Sequence, residues 1–127
     1  MKILLSIKPV FVEEIMRGKK LFEYRKIIYK NRNISRIVVY SSSPVCRVVG
    51  EIDVKDVLCD TPERLWKRTA LQSGISKDCF DRYFGGKSVG YAIQIGSFSP
   101  YPRPRLLQEA YPGITPPQSF CYVEYTK

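Results

Sequence analysis

The apolar segments of this chain are short and are repeatedly interrupted by proline, glycine and serine. Residues 3–7 and 36–40 have the length of single strands. The elements do not follow the regular strand–helix–strand spacing of a parallel α/β protein. We therefore predict an α+β fold, a small and mostly antiparallel β-barrel of roughly five to seven strands with three or four short flanking helices.

Punctuating residues predict where the helices begin and end. Pro9 is suited to the first turn of a helix, and Gly18 is suited to its C-terminal end. Asp60 or Thr61 is expected to cap a second helix, and Ser76 is expected to cap a third. Each predicted helix is short, so the strands must supply most of the core.

The second half of the chain is harder to interpret because it is rich in proline. Residues 88–96 alternate in polarity, and so do residues 119–125, so each segment is predicted to form a strand. Between them, residues 97–117 contain six prolines. We expect mostly irregular or edge structure there, with a short helix over residues 106–110. Gly50, within a β-rich segment, predicts a bulge or a close backbone approach.

The length of 127 residues predicts a single domain, residues 1–127. The chain contains no histidine, which excludes Ser-His-Asp and Cys-His catalysis and Cys/His zinc sites. Its four cysteines form no CxxC pair, and the apolar N-terminal run is too short for a signal peptide. We therefore expect a cytoplasmic protein with reduced thiols, no membrane span and no cofactor.

The formal net charge is +9, and it is concentrated near the N-terminus. Residues 1–40 carry ten basic and three acidic residues, whereas residues 41–80 carry six of each. A phosphate-bearing partner such as RNA or a nucleotide would complement this charge. The alternative is a solvated basic surface that keeps a small protein soluble.

The strongest candidate for chemistry is the segment that contains Lys20, Glu23 and Arg25. On a strand, Glu23 and Arg25 share a face and lie about 6.5–7 Å apart along the axis. A carboxylate there would hold the guanidinium for bidentate recognition of a phosphate or a base edge. The structural alternative is an ion pair that ties the strand to the barrel.

Other candidates are weaker. The turn of Ser41, Ser42 and Ser43 offers N–H and O–H donors to a phosphate or is simply a polar turn, and Gln118 lies before the last predicted strand. Some tyrosines near basic or loop segments could stack on unpaired bases, namely Tyr24, Tyr29, Tyr40 and Tyr101. The acids Asp53, Asp56 and Asp60 lack a partner cluster, so we predict no metal site.

The segment Gly18-Lys19-Lys20-Leu21-Phe22-Glu23-Tyr24-Arg25 resembles the ASCH domain family of the PUA-like superfamily. Further similar segments extend the resemblance over nearly the whole chain, including Ser42-Ser43-Pro44, Val49-Gly50-Glu51, Phe80-Asp81 and Gly90-Tyr91-Ala92-Ile93. The resemblance implies a PUA-like barrel with a cleft beside the Glu-x-Arg strand, and a role in RNA binding.

The resemblance also implies an enzymatic alternative. One branch of the family removes the acetyl group from N4-acetylcytidine with a lysine, a threonine and a glutamate, and another cleaves single-stranded RNA. The lysine would correspond to Lys20, whereas the threonine position falls on Glu23, which departs from that pattern. A third alternative is a regulatory or interaction module that pairs with a separate DNA-binding subunit.

Our prediction is an RNA- or nucleotide-binding ASCH domain with a basic cleft. If the protein is an enzyme, it is expected to be a hydrolase, either an amidohydrolase or a ribonuclease, with Lys20 and Glu23 as catalytic residues. The predicted RNA-binding residues are Lys19, Lys20, Glu23, Tyr24, Arg25, Ser41, Ser42, Ser43 and Gln118.

Overall fold

The computed structural model describes residues 1–124 of the chain. Within that range the strands are β1 (Lys2–Ile7), β2 (Phe22–Arg25), β3 (Arg36–Ser41), β4 (Arg47–Asp60), β5 (Gly90–Arg105) and β6 (Phe120–Val123). The helices are α1 (Pro9–Met16), α2 (Pro62–Thr69), α3 (Lys77–Phe84) and α4 (Leu107–Ala110), with a 3-10 turn at Ala70–Gln72.

The strands form one sheet in the order β2-β5-β4-β3-β1-β6. Only β1 and β3 are parallel among the paired strands of residues 1–124, with Leu5 opposite Val39. The predicted α+β class, the mostly antiparallel sheet and the short flanking helices are confirmed.

The sheet differs from the expected barrel in one detail, because its edge strands β2 and β6 do not pair with each other. Each is only four residues long, and side chains span the gap instead of a strand ladder. The Nη2 of Arg25 donates a hydrogen bond to the carbonyl of Ser119 at 2.8 Å. The Tyr122 hydroxyl accepts from the backbone N–H groups of Lys30 and Asn31 at 3.2 and 3.3 Å.

The predicted helix signals agree with the structure. Pro9 occupies the first turn of α1, and Gly18 follows that helix with a φ of +75°, a conformation that favours glycine. Thr61 caps α2 by accepting from the Arg64 N–H, and Ser76 caps α3 by accepting from the Cys79 N–H.

The proline-rich segment is more regular than expected, because β5 continues to Arg105. Over residues 97–105 it pairs with β4 alone, so its prolines lie at a sheet edge, where a missing N–H breaks no ladder. The predicted close approach at Gly50 is also present, since a Cβ there would lie 2.6 Å from the Ser99 carbonyl oxygen.

The core lies on both faces of the sheet. Residues of β1 and β3 alternate between the two faces, so Leu5 packs toward α1 and Leu4 packs toward α4. A third cluster joins Phe22 and Tyr24 of β2 to α2 and α3, with Phe80 packing edge-on against Tyr24 at 5.0 Å. This packing fixes β2 against α2 and α3, beside the candidate site.

None of the helices in residues 1–124 is long and apolar enough to cross a membrane. The four cysteines are free thiols. No group of three or more metal-ligating side chains is found among the described residues.

Candidate functional site

The turn between α1 and β2 places Lys20 in the interior. Gly18 reverses the chain after α1, and the Lys20 N–H donates to the Glu14 carbonyl at 3.1 Å. The next residue, Leu21, donates its N–H to the Gln72 carbonyl at 2.8 Å. Gly74, with a φ of +67°, packs directly on Lys20, because a Cβ there would collide with the lysine side chain. Two distant segments therefore enclose this side chain.

Lys20 is the most deeply buried charged residue of the site, with 1% of its surface exposed. Its Nζ donates to the Ser73 carbonyl at 2.8 Å and lies 3.9 Å from Oε1 of Glu23. The ammonium also lies 5.2 and 4.9 Å from the ring centres of Phe11 and Tyr24, close enough for cation–π attraction.

Burial lowers the pKa of Lys20 below its ordinary value, and the Glu23 carboxylate opposes this shift. Desolvation disfavours the charged form, whereas a nearby carboxylate favours it. The result is an ammonium held in place by hydrogen bonding and charge but easier to deprotonate than a lysine at the surface.

Glu23 and Arg25 meet on one face of β2, two residues apart. Oε2 of Glu23 lies 3.4 Å from Nη1 of Arg25, and both residues are buried, with 6% and 9% of their surfaces exposed. Glu23 thus stands between two cations, with Lys20 on its Oε1 and Arg25 on its Oε2.

These residues line a cleft of about 480 Å³, which we call the Lys20 cleft. The end of β1 and the start of α1 form one wall, β2 forms the floor, and α3 together with Ile75 forms the opposite wall. Its lining residues are Ser6, Ile7, Lys8, Phe11, Lys20, Glu23, Tyr24, Arg25, Ile75, Cys79, Arg82 and Tyr83. Cations outnumber carboxylates along this lining.

Tyr24 lines the cleft, whereas its hydroxyl is hydrogen-bonded within the protein. The hydroxyl lies 2.6 Å from Oγ1 of Thr69, which donates its own proton to the Leu65 carbonyl at 2.8 Å. Tyr24 is therefore the donor of the pair. Burial raises the pKa of Tyr24 to about 12, so this hydroxyl stays protonated near neutral pH.

The structure brings together Lys20, Glu23, Tyr24 and Arg25 among the predicted site residues. Lys19 is exposed on the turn and lies outside the cleft lining, because the turn that buries Lys20 directs its neighbour to solvent. Gln118 is also exposed and outside the lining, although the Ser119 carbonyl beside it accepts from Arg25.

The serine turn lies next to the cleft but outside its lining. Ser41 ends β3 as a buried residue opposite Arg47, and Ser43 is exposed. The Ser42 N–H donates to the carbonyl of Ile7, a lining residue, at 3.0 Å. The backbone donor predicted for a phosphate is thus used within the protein.

Three of the four tyrosines considered for base stacking do not line the cleft. Tyr29 and Tyr40 are buried in the core, and the Tyr101 hydroxyl donates to Glu51 at 2.7 Å. The aromatic residue at the edge of the cleft is Tyr83 of α3, whose hydroxyl accepts from the Lys26 N–H at 3.2 Å.

Sequence reasoning missed the α3 wall of the cleft. The spacing of four between Cys79 and Tyr83 places them on one face of α3. That face lines the cleft. Arg82 gave no signal in the sequence, because an isolated arginine on a short helix is ordinary.

Comparison with known proteins relates the chain to solved and curated proteins, although no family model matches it. A curated Zymomonas mobilis protein named ASCH domain-containing ribonuclease is 27% identical over 121 residues, covering 94% of this chain and 82% of that protein. The crystal structure of ASCH from Zymomonas mobilis superposes with a TM-score of 0.88 at 28% identity, over 97% of this chain and 87% of that one. The sequence and structural similarity together support assignment of the chain to the ASCH domain family. The predicted resemblance is thereby confirmed.

Two other matches cover a smaller share of this chain or of the relative, or show a common fold alone. A Ureaplasma parvum protein named large ribosomal subunit protein uL22 is 33% identical over 105 residues, which is 80% of this chain. The chain spans about a third of the length of that relative, 33%. The N-terminal domain of Staphylothermus marinus McrB shares 16% identity with a TM-score of 0.54, over 90% of this chain and 81% of that one, and shows only a common fold.

Proposed function

We propose that this ASCH domain binds single-stranded RNA, or a nucleotide-sized fragment of it, in the Lys20 cleft. The observation that carries the proposal is the pair of buried cations, Lys20 and Arg25, which share one carboxylate, Glu23, at the floor of an open cleft. Lys8 and Arg82 add positive charge to the walls. An anionic ligand would complement this excess.

Arg25 has the donors for phosphate recognition. A guanidinium carries five N–H groups, and the contacts with Glu23 and Ser119 engage Nη1 and Nη2. These contacts also fix the plane of the group, so its remaining N–H groups are oriented before a ligand arrives. Such pre-orientation reduces the entropy lost on binding.

Tyr83 provides an aromatic surface beside the cations. Its ring packs against Phe84 at 4.9 Å and lies 4.8 Å from the Lys26 ammonium. Single-stranded nucleic acids are commonly bound by a basic groove combined with aromatic stacking. A base stacked on Tyr83 would place its phosphate toward the cations of the cleft.

The relation to the Zymomonas mobilis protein named a ribonuclease adds support for an RNA-related function. The test is a titration of fluorescent single-stranded RNA with the purified protein at several salt concentrations. We expect binding that weakens as salt rises, because neutralised phosphates release counterions. Absence of binding at low salt would contradict the proposal.

A second candidate function is hydrolysis, by a ribonuclease or an N4-acetylcytidine amidohydrolase. It is favoured by Lys20, whose pKa burial lowers toward the range useful in acid–base chemistry, beside the carboxylate of Glu23. Glu23 stands where the amidohydrolases have a threonine, so a threonine nucleophile at that position is not available.

One experiment separates binding from catalysis. The protein and its Lys20→Ala variant are incubated with single-stranded RNA and with N4-acetylcytidine, and the products are analysed. Turnover that the variant loses would establish an enzyme, whereas RNA binding without turnover would establish a binding module. A lack of both would favour an interaction module with a protein partner.

We further propose that residues 1–127 form one domain and that the protein is cytoplasmic.

A further inference from the structure

A second cavity of about 390 Å³ lies away from the Lys20 cleft and shares none of its lining residues. It is bounded by the loop between β2 and β3 on one side and by the middle of β4 on the other. Its lining residues are Tyr29, Arg32, Asn33, Ile34, Ser35, Val54, Lys55, Asp56 and Val57. The size is typical of small-molecule sites.

A β-bulge in β4 forms the floor of this second cavity. Val54 lies opposite Ile95 and Asp56 lies opposite Gln94, so Lys55 has no partner residue in β5. A bulge bends the strand and redirects the side chain of the extra residue. The exposed Lys55 side chain is thereby placed at the cavity.

The opposite wall is held in position by hydrogen bonds. The N–H groups of Lys30 and Asn31 donate to the Tyr122 hydroxyl, and the Val54 N–H donates to the Ser35 carbonyl at 2.8 Å. Both ends of the segment are therefore fixed, and Arg32 lies between them.

Tyr29 lines this cavity with an unusual hydroxyl group. Only 1% of the residue is exposed, and within residues 1–124 its oxygen is the one buried side-chain N or O atom without a hydrogen-bond partner. Burying an unpaired hydroxyl costs free energy, so such groups are rare. Burial raises the pKa of Tyr29, and the charge of Arg32 opposes the shift, so the hydroxyl remains a donor near neutral pH.

We propose that the second cavity binds a phosphate group through the Tyr29 hydroxyl, Arg32 and Lys55. A phosphate oxygen would accept the hydrogen bond that Tyr29 does not make within the protein. The two cations exceed the single carboxylate of the lining, Asp56, whose Oδ1 already accepts from the Val57 N–H at 2.8 Å.

The phosphate could belong to RNA bound in the Lys20 cleft or to a free anion. Tyr29 lies four positions after Arg25, so their Cα atoms lie within about 14 Å of each other even if the chain is fully extended. At about 3.4 Å per stacked nucleotide, a strand of about four nucleotides would span that distance. Binding of an RNA phosphate at this second site rests on the proposed function, whereas binding of free phosphate does not.

The test uses Tyr29→Phe, which removes only the hydroxyl. Tyr101→Phe is the matched control, because its hydroxyl is bonded to Glu51. We expect Tyr29→Phe to leave the melting temperature unchanged or raised and Tyr101→Phe to lower it. We expect Tyr29→Phe to weaken binding of a decanucleotide RNA about threefold to tenfold, the loss of one hydrogen bond.

Arg32→Ala and Lys55→Ala should each weaken RNA binding and reduce its salt dependence, whereas Arg103→Ala, at an exposed position on β5, should do neither. Titration with inorganic phosphate, followed by NMR, tests the free anion.

If RNA binding requires Arg25 but is unaffected by the Tyr29, Arg32 and Lys55 variants, and phosphate shifts no signal near Tyr29, the second site is refuted and the cleft stands. If RNA does not bind but phosphate shifts the Tyr29 signals, the second site stands and the proposed function fails.

Discussion

The ammonium of Lys20 lies 3.9 Å from the carboxylate of Glu23, although almost none of either side chain reaches solvent. Taking both charges out of water is costly, and the cost is recovered only with well-placed partners. Here Ser73 supplies an acceptor to Lys20, and Arg25 supplies a second cation to Glu23. The site is therefore a linked group, and altering one member should affect the others.

The pH dependence of stability should reveal the buried lysine. Because burial lowers the pKa of Lys20, the unfolded chain binds more protons than the folded one between the folded-state pKa and 10.5. Stability should therefore rise with pH across that interval. We expect denaturant unfolding to show wild-type protein gaining stability relative to Lys20→Met as the pH approaches 10.5. If the free energies of unfolding of the two proteins vary with pH in parallel, the pKa of Lys20 is not lowered by folding.

The contact of Gly74 with Lys20 can be tested with two glycines that share a positive φ. Gly74→Ala and Gly86→Ala both incur the strain of the left-handed conformation, about 1–2 kcal/mol. Only at Gly74 does the new methyl group meet Lys20, since nothing lies within 4 Å of a Cβ at Gly86. We expect Gly74→Ala to be more destabilising in urea unfolding and to reduce RNA binding. Equal losses for the two variants would contradict the described packing.

Glu23 should be more important for stability than an ordinary surface glutamate. Glu23→Gln leaves Lys20 and Arg25 near each other without a counter-charge, and breaking a buried ion pair costs about 3–5 kcal/mol. Glu13→Gln, exposed on α1, should change the free energy of unfolding by less than about 0.5 kcal/mol. Chemical denaturation measures both. A Glu23 variant as stable as the Glu13 variant would show that the carboxylate is dispensable to the fold.

Cys79 offers a chemical reporter in the cleft wall. It is half-buried and lines the Lys20 cleft, whereas Cys59 is exposed on β4 and lies outside it. We expect bound RNA to slow alkylation of Cys79 severalfold and to leave Cys59 unaffected, as measured by mass spectrometry of the modified peptides. Equal rates for Cys79 with and without RNA would place the ligand outside the cleft.

Local sequence signals predicted much of this fold. The proline at the start of α1 and the hydroxyl caps at Thr61 and Ser76 are signals that depend on only a few neighbouring residues. The alternation within β2 likewise puts Glu23 and Arg25 on one face. The extension of β5 through its prolines was missed. A strand tolerates proline where its N–H side is unpaired, and which side is unpaired depends on the order of strands in the whole sheet.

The environment of the site depends on contacts that are distant in the sequence. Lys20 bonds to Ser73, 53 residues away, and Arg25 bonds to Ser119, 94 residues away. No spacing rule relates these positions. The burial of Tyr29 has the same origin, since its loop packs against Phe120 with ring centres 6.2 Å apart.

The most direct test of the proposed cleft is the affinity for single-stranded RNA of two charge-reversal variants, Arg25→Glu and Arg103→Glu. Both change the net charge equally, but only Arg25 lines the Lys20 cleft, whereas Arg103 is exposed on β5. Circular dichroism confirms folding, and anisotropy titrations at a fixed salt concentration give the affinities. We predict at least a tenfold greater loss for Arg25→Glu than for Arg103→Glu, while equal losses would show that RNA responds only to the overall charge of the protein.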